Sequence, residues 1–421
     1  MAAKGSLLVV TVVAARRLSP QAFGIFSLGS TLGWMAAVVS DFGIQLHVAR
    51  AIARRPEAAV ELLGRWLRVR WLTAAAALLI AVAGSALAPA TRVYLAPMAL
   101  LALVYVCSGL IEFLYYVYRG LSRSDIESTL TVSQRAATLA CGIAALAWRP
   151  EVTRLALALL APVVVTLAIS VRIARSLTRA SAAAAAAPPP RATTAPGVDS
   201  GPTLETLRRE VWPIGAGIVL SALYFRVDVL LVQLWSGTEA VGLYNAVFRL
   251  VDALRLFPAA VMAVMLPSLC RAGDLRPLAR ASAVVTLPAV AVAAALWVAA
   301  DALIPAVYQA RYAAAVPAFR VLLLAFPLMS LNMALTHQLV GWDAQRAYAA
   351  LCAAALAFNL ALNARLIPAW SIDGAAWTTV ATELCLTAGC AIALWTTQAP
   401  GHRTSAAERR PIPESVPAES S

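Results

Sequence analysis

The sequence predicts an all-α integral membrane protein of about twelve transmembrane helices in two six-helix lobes, with a first helix that is short or truncated. Three observations predict it. Of the 421 residues, 61% are hydrophobic and 13% charged, with a mean hydropathy of +0.77, whereas a soluble globule is about 45–50% apolar and about 25% charged. Eleven apolar windows approach the roughly 20 residues needed to cross a bilayer. A polar, Pro-containing stretch at residues 176–203 interrupts them near mid-chain.

Taken in order, the first apolar segment is Gly5–Ala15. At about 1.5 Å per residue it reaches roughly 16 Å, half a hydrocarbon core. Arg16 and Arg17 stand where a signal peptide would carry small residues, and another span follows at once. The segment therefore reads as a membrane helix whose beginning is missing from this chain. Windows follow at 23–40, 71–90, 95–118, 128–147 and 152–172. Residues 176–203 (Ala, Pro, Ser and Thr in the main) cannot form a packed core and read as a flexible cytoplasmic linker. Glu205–Glu210 forms a short amphipathic approach to Trp212-Pro213 and the seventh helix, and windows continue at 211–235, 241–266, 281–300, 313–341, 347–367 and 373–396. The expected organisation is an N-terminal lobe at 1–175, the linker at 176–203, a C-terminal lobe at 204–397 and a disordered cytoplasmic tail at 398–421.

The net charge of +13 follows topology. With both termini in the cytoplasm, 23 of the 34 basic residues fall on that side, seven on the other, and four (Arg226, Arg249, Arg255, Arg320) within spans. This is the positive-inside bias of a multi-pass protein of the cytoplasmic (inner) membrane. It favours contact with anionic lipid headgroups and gives no reason to invoke nucleic acid. The arginine-rich stretch Ala49–Arg70, with Trp66, can lie on the inner leaflet and attract anionic lipid, a lipid pyrophosphate included, or serve only to set topology. The six cysteines lie in or beside apolar spans without a CxxC pair, and three histidines offer little to a metal, so no cofactor or metal site is expected.

The two halves echo each other. Ala22-Phe23-Gly24-Ile25-Phe26 opens the second span and Ala240-Val241-Gly242-Leu243-Tyr244 opens the eighth, each after a tight polar turn. A duplication places such a match at the same ordinal position of each half and puts a site at the lobe interface.

Several of these stretches, taken with others, resemble one family. Tyr224-Phe225-Arg226-Val227-Asp228, Ala240–Tyr244, the Arg249–Pro267 helix, Ala318-Phe319-Arg320-Val321-Leu322 and Asp373-Gly374-Ala375-Ala376-Trp377 resemble the polysaccharide-repeat (Wzx-type) flippases of the MATE-like (MOP) superfamily, as do Leu18–Gly24 and Asp41-Phe42-Gly43. The resemblance spans about Leu7 to Trp395. It implies a V-shaped pair of six-helix lobes and alternating access. It also implies a cargo: a lipid-linked oligosaccharide on undecaprenyl pyrophosphate, moved across the cytoplasmic membrane for cell-surface polysaccharide synthesis, with polysaccharide-assembly proteins as further partners. The short first helix and a chain of twelve spans rather than fourteen depart from the lipid II flippases of the superfamily.

Charged residues inside spans mark the candidate site, because an ionised group in hydrocarbon costs about 2.5–3.5 kcal/mol on insertion scales. Asn245, Arg249, Asp252 and Arg255 fall within an arc of roughly 120° on one helix face. They suit a cavity for a pyrophosphate or acidic sugar, since arginine forks bind oxyanions in pairs; a structural ion-pair ladder is the competing reading. Arg226 joins this set. Asp228, two residues on, points to nearly the opposite face, and is the candidate for ion coupling or for neutralising a cavity arginine. Arg16, Arg17, Arg320 and Asn332 are further cavity candidates, and Glu112 and Glu383, single acids in apolar helices, are further coupling candidates. Asp41 has Arg50 as its nearest basic partner in sequence, and Trp71, Trp148, Trp212 and Trp370 read as interfacial anchors.

Two rival functions are a MATE-type drug/cation antiporter and a membrane glycan polymerase or ligase. The excess of buried arginine over aspartate argues against a cationic cargo. Short external loops, with no phosphate-cradling Gly loop and no nucleophile–base pair, argue against an enzyme.

Overall fold

The computed structural model describes residues 2–87, 89–186, 211–271, 275–342 and 344–398. Among these the regular structure is helical: α1 (Ala2–Arg17), α2 (Pro20–Asp41), α3 (Ile44–Arg54), α4 (Ala59–Leu87), α5 (Leu95–Gly120), α6 (Ser124–Trp148), α7 (Val152–Ala186), α8 (Trp212–Leu254), α9 (Leu256–Arg271), α10 (Arg276–Tyr308), α11 (Val316–Gly341) and α12 (Gln345–Gln398). Nine helical stretches among the described residues are long and apolar enough to cross a membrane.

Two of those stretches are hairpins. A straight helix would set Arg226 and Asp252 roughly 39 Å apart at 1.5 Å per residue; their side chains meet at 3.8 Å. The reversal is at Gly237, whose φ of 85° with ψ of −178° is open only to glycine. Asn359 likewise reaches Thr382 at 3.2 Å because α12 folds back at Ser371. Counting both hairpins as pairs, the described residues hold the eleven spans that hydropathy predicts, with the short α1 beside them.

Local chemistry sets the junctions. Ser19 accepts from Ala22 N at 3.2 Å and Pro20 occupies the first turn, a standard start for α2. That helix ends where Phe42 and Gly43 take left-handed conformations (φ 43° and 78°) and Asp41 accepts from the Gly43 and Gln45 amides. The chain then turns into the amphipathic α3.

Helices α2, α4, α5 and α7 pack on one another, with α6 on α7 and α1 on α6; α8, α11 and α12 pack on one another, with α9 and α10 on α11. The two groups join chiefly where α2 lies along α8. Buried aromatics fill both sides: Phe23, Phe113 and Tyr118 in the first group, Tyr308 and Phe319 in the second, and Tyr312 meets Phe23 edge-on across the join.

Three sequence expectations change. Helix α7 continues to Ala186, so the first part of the segment read as a linker is helical; residues 187–203, Glu205–Glu210 and the tail from 399 onward lie outside the described residues. Asp41 pairs with Arg70 (3.6 Å) rather than Arg50. Arg70 belongs to no cytoplasmic loop: it is fully buried in α4, bonded to Ser40 and to the Gly109 carbonyl, with Phe113 beneath its guanidinium.

Candidate substrate cavity

A cavity of about 860 Å3 lies between the two groups of helices. One wall is α2 (Ser30, Thr31, Trp34, Val38) with α3, α5 and α6; the other is α8 and α9 with α11 and α12. Its lining runs toward Leu46, Arg50, Val340 and Tyr348, the end that the charge bias assigns to the cytoplasm. At the opposite end α2 and α8 meet backbone to backbone. A Cβ on Gly24 would stand 1.8 Å from the Thr238 carbonyl oxygen, and one on Gly242 would stand 2.1 Å from that of Pro20. These are the glycines of the two matched motifs.

The lining is cationic. Among the described residues Arg50, Arg135, Arg226, Arg249 and Arg255 reach it, against one carboxylate, Asp252. The hairpin at Gly237 brings Arg226 from one arm of α8 to Asp252 on the other, while Arg255 comes from the next turn at 3.4 Å. Phe225 lies beneath both the Arg226 and Arg255 guanidiniums (5.0 and 4.5 Å), and Phe248 beneath Arg226 (4.7 Å). Cation–π contact of this kind holds like charges close together when no anion is present. Arg249 has no carboxylate within 4 Å and no hydrogen-bond partner among the described residues, and its Nε is buried.

Of the residues read from sequence, Arg226, Arg249, Asp252 and Arg255 line the cavity. Asn245 does not: it is fully buried one turn away, giving its amide to the Val241 carbonyl. Asp228 is buried behind the wall, accepting from the Tyr244 hydroxyl and the Val229 amide. Asn332 is also behind it, donating to Glu383 at 2.7 Å and accepting from Thr387 at 2.8 Å. Arg320 turns outward to Asp301. Arg16 and Arg17 are exposed at the end of α1, where Arg311 donates to the Ala15 and Arg16 carbonyls and so ties off that helix end.

Sequence reading assigned neither Arg50 nor Arg135 to the cavity: it placed Arg50 in the Ala49–Arg70 stretch, read as lipid-facing or topogenic, and counted Arg135 with the cytoplasmic charges. The available signal was periodicity: Arg50 lies four residues from Leu46 on one face of α3, and both line the cavity. It also missed Tyr224. This cavity residue donates its hydroxyl to Glu383, a buried acid held by neutral donors. Glu112, the other single acid, is exposed on α5.

The sequence profile of a family described as "Polysaccharide biosynthesis protein" matches residues 1–272. No curated protein matches the chain in sequence. Among solved structures it is similar to an inward-facing multidrug resistance MATE family transporter of the MOP superfamily (TM-score 0.72, 14% identity, covering 97% of this chain and 96% of the other). It is similar to the lipid II flippase MurJ in an inward closed conformation (0.71, 11%, 93% and 86%). An outward-facing MATE transporter fits less closely (0.58, 14%, 97% and 97%). The fold is that of MOP-superfamily transporters, and the protein is a multi-pass membrane protein.

Proposed function

Because the chain belongs to the polysaccharide biosynthesis protein family, we propose that it flips a lipid-linked oligosaccharide, carried on undecaprenyl pyrophosphate, across the cytoplasmic membrane by alternating access. The observation that carries this reading is the charge of the cavity: five guanidiniums face one carboxylate, and Arg249 is unpartnered among the described residues. Buried positive charge without a counter-ion is costly, and a diphosphate supplies both the charge and the paired oxygens that arginine forks accept. A cavity of this sign repels a cationic drug, so the antiporter reading draws no support from it.

In this reading residues 1–175 and 204–397 are the two moving lobes, both termini are cytoplasmic, and the Gly24–Gly242 crossing closes the outer end. The likeness to an inward-facing MATE structure supports an outer end that is closed. Asp228 remains the coupling candidate: it is buried and bonded to the Tyr244 hydroxyl, and among the described residues no arginine or lysine nitrogen lies within 4 Å.

The test is export of the cell-surface glycan by a deletion strain complemented with Arg249→Ala/Arg255→Ala. Loss of export, with normal membrane insertion and accumulation of a lipid-linked oligosaccharide seen by mass spectrometry, is expected. Undiminished export in the double variant would remove the cavity from the mechanism.

A further inference from the structure

Asp252 is the one acid among the cavity-lining residues, and its placement is unusual for a structural counter-ion. Its side chain is 40% exposed to the cavity, yet its two oxygens reach two different arginines, Arg226 at 3.8 Å and Arg255 at 3.4 Å. Both distances are long for a tight N–H···O contact, which lies at about 2.7–2.9 Å for charged partners. Asp252 is not the sole support of the guanidiniums, because Phe225 and Phe248 contact them from behind.

Resting on the reading of this cavity as a site for an anionic carrier, we infer that Asp252 is a built-in competitor for the cargo's phosphates. It occupies Arg226 and Arg255 when the cavity is empty, yields them to the diphosphate, and reclaims them as the cargo leaves. Arg249, unpartnered among the described residues, makes the first contact. A carrier must bind well enough to load and weakly enough to unload, as ion pathways must. Five uncompensated arginines in a low-dielectric chamber would satisfy the first demand and fail the second. One exposed carboxylate, loosely shared between two cations, lowers the gain on binding and stabilises the empty state that each cycle must revisit. Asp252 thus sets release, while the arginines set capture.

A scaffold role, pinning the arms of the α8 hairpin together, makes the opposite prediction for affinity. The test uses the purified full-length protein in detergent with farnesyl diphosphate as the probe, beside glycan export in cells. Asp252→Asn is expected to bind the probe about ten-fold more tightly and release it more slowly, while export falls. Asp252→Glu keeps the competitor and is expected to stay near wild type in both assays. Equal or weaker binding by a folded Asp252→Asn protein would overturn the inference. Asp252→Ser is the second neutral variant; if neither neutral variant folds, Asp252 is a scaffold and the inference falls. If the wild type and Asp252→Asn both fail to bind farnesyl diphosphate, it is the anionic-cargo reading itself that fails.

Discussion

At the scale of single residues, two arginines show how burial separates function from support. Arg249 meets no carboxylate among the described residues, so in the proposed reading its replacement removes a contact with the cargo. Arg249→Gln is expected to weaken farnesyl diphosphate binding by roughly 10- to 100-fold, the worth of one charge-assisted hydrogen bond at about 1.5–3 kcal/mol. Arg249→Lys keeps the charge but loses the planar fork, and should fall between the two in the same titration. Thermal stability should move little in either variant. Arg70 is the contrast. It is fully buried, paired with Asp41 and bonded to Ser40 and Gly109, and does not line the cavity. Arg70→Ala leaves Asp41 buried without its partner, and breaking a buried pair in this way costs about 3–5 kcal/mol. A lowered melting temperature is expected, with farnesyl diphosphate affinity unchanged in whatever fraction folds; Asp41→Leu/Arg70→Met should recover much of the lost stability. The sequence exposed the charges of α8 because they interrupt long apolar runs. It could not separate Arg50 and Arg70, which lie outside the apolar windows, from one another, nor assign Arg135, which sits within the 128–147 window at the middle of α6. A long side chain can snorkel to water, turn into a cavity or pair inside a bundle, and hydropathy reads all three alike.

At the scale of elements, helix α2 carries glycines with different destinations. Gly29 and Gly33 face α5 within the same group of helices, where a Cβ would come within 2.8 Å of Leu101 and Ala102 respectively. Gly24 instead faces Thr238 of α8, and Gly242 faces Pro20 in return. The motif match visible in the sequence is therefore a reciprocal contact: each copy supplies the small residue that lets the other helix approach. Sequence periodicity found the repeat but could not show that the copies touch, since nothing in either segment encodes its partner. Gly24→Val is expected to hold this crossing apart. In a cysteine-free background, Ser30→Cys on the cavity wall should then react with a membrane-impermeant maleimide from outside the cell, and Gly242→Val should do the same. Gly33→Val disturbs only packing against α5, so it should lower stability without opening that route. Equal protection of Ser30→Cys in all three backgrounds would show that the crossing is not the outer closure.

At the scale of the whole molecule, the hydropathy windows, the break at Gly237 and the mid-chain change in composition were legible in advance because each depends on local sequence alone. The seam between the two groups of helices was not, for it depends on which apolar faces find each other across more than 200 residues. That seam is mainly α2 against α8, with Phe42 on Trp212 at one end (5.2 Å between rings) and the glycine crossing at the other. If residues 1–175 and 204–397 are lobes that fold separately and rock along this seam, the stretch at 187–203, beyond the end of α7, acts only as a tether. Its Ala, Pro, Ser and Thr residues offer little to pack, and its contribution is effective concentration. Splitting the gene between codons 190 and 200 and expressing both pieces in one cell should then give fragments that co-purify through a tag on either one. Export should be partly restored, since a two-dimensional membrane already confines the partners. Each fragment alone should insert but give no export. Pieces that insert yet fail to associate would show that the tether, and not the α2–α8 seam, holds the halves in register, and the two-lobe division at this segment would have to be abandoned.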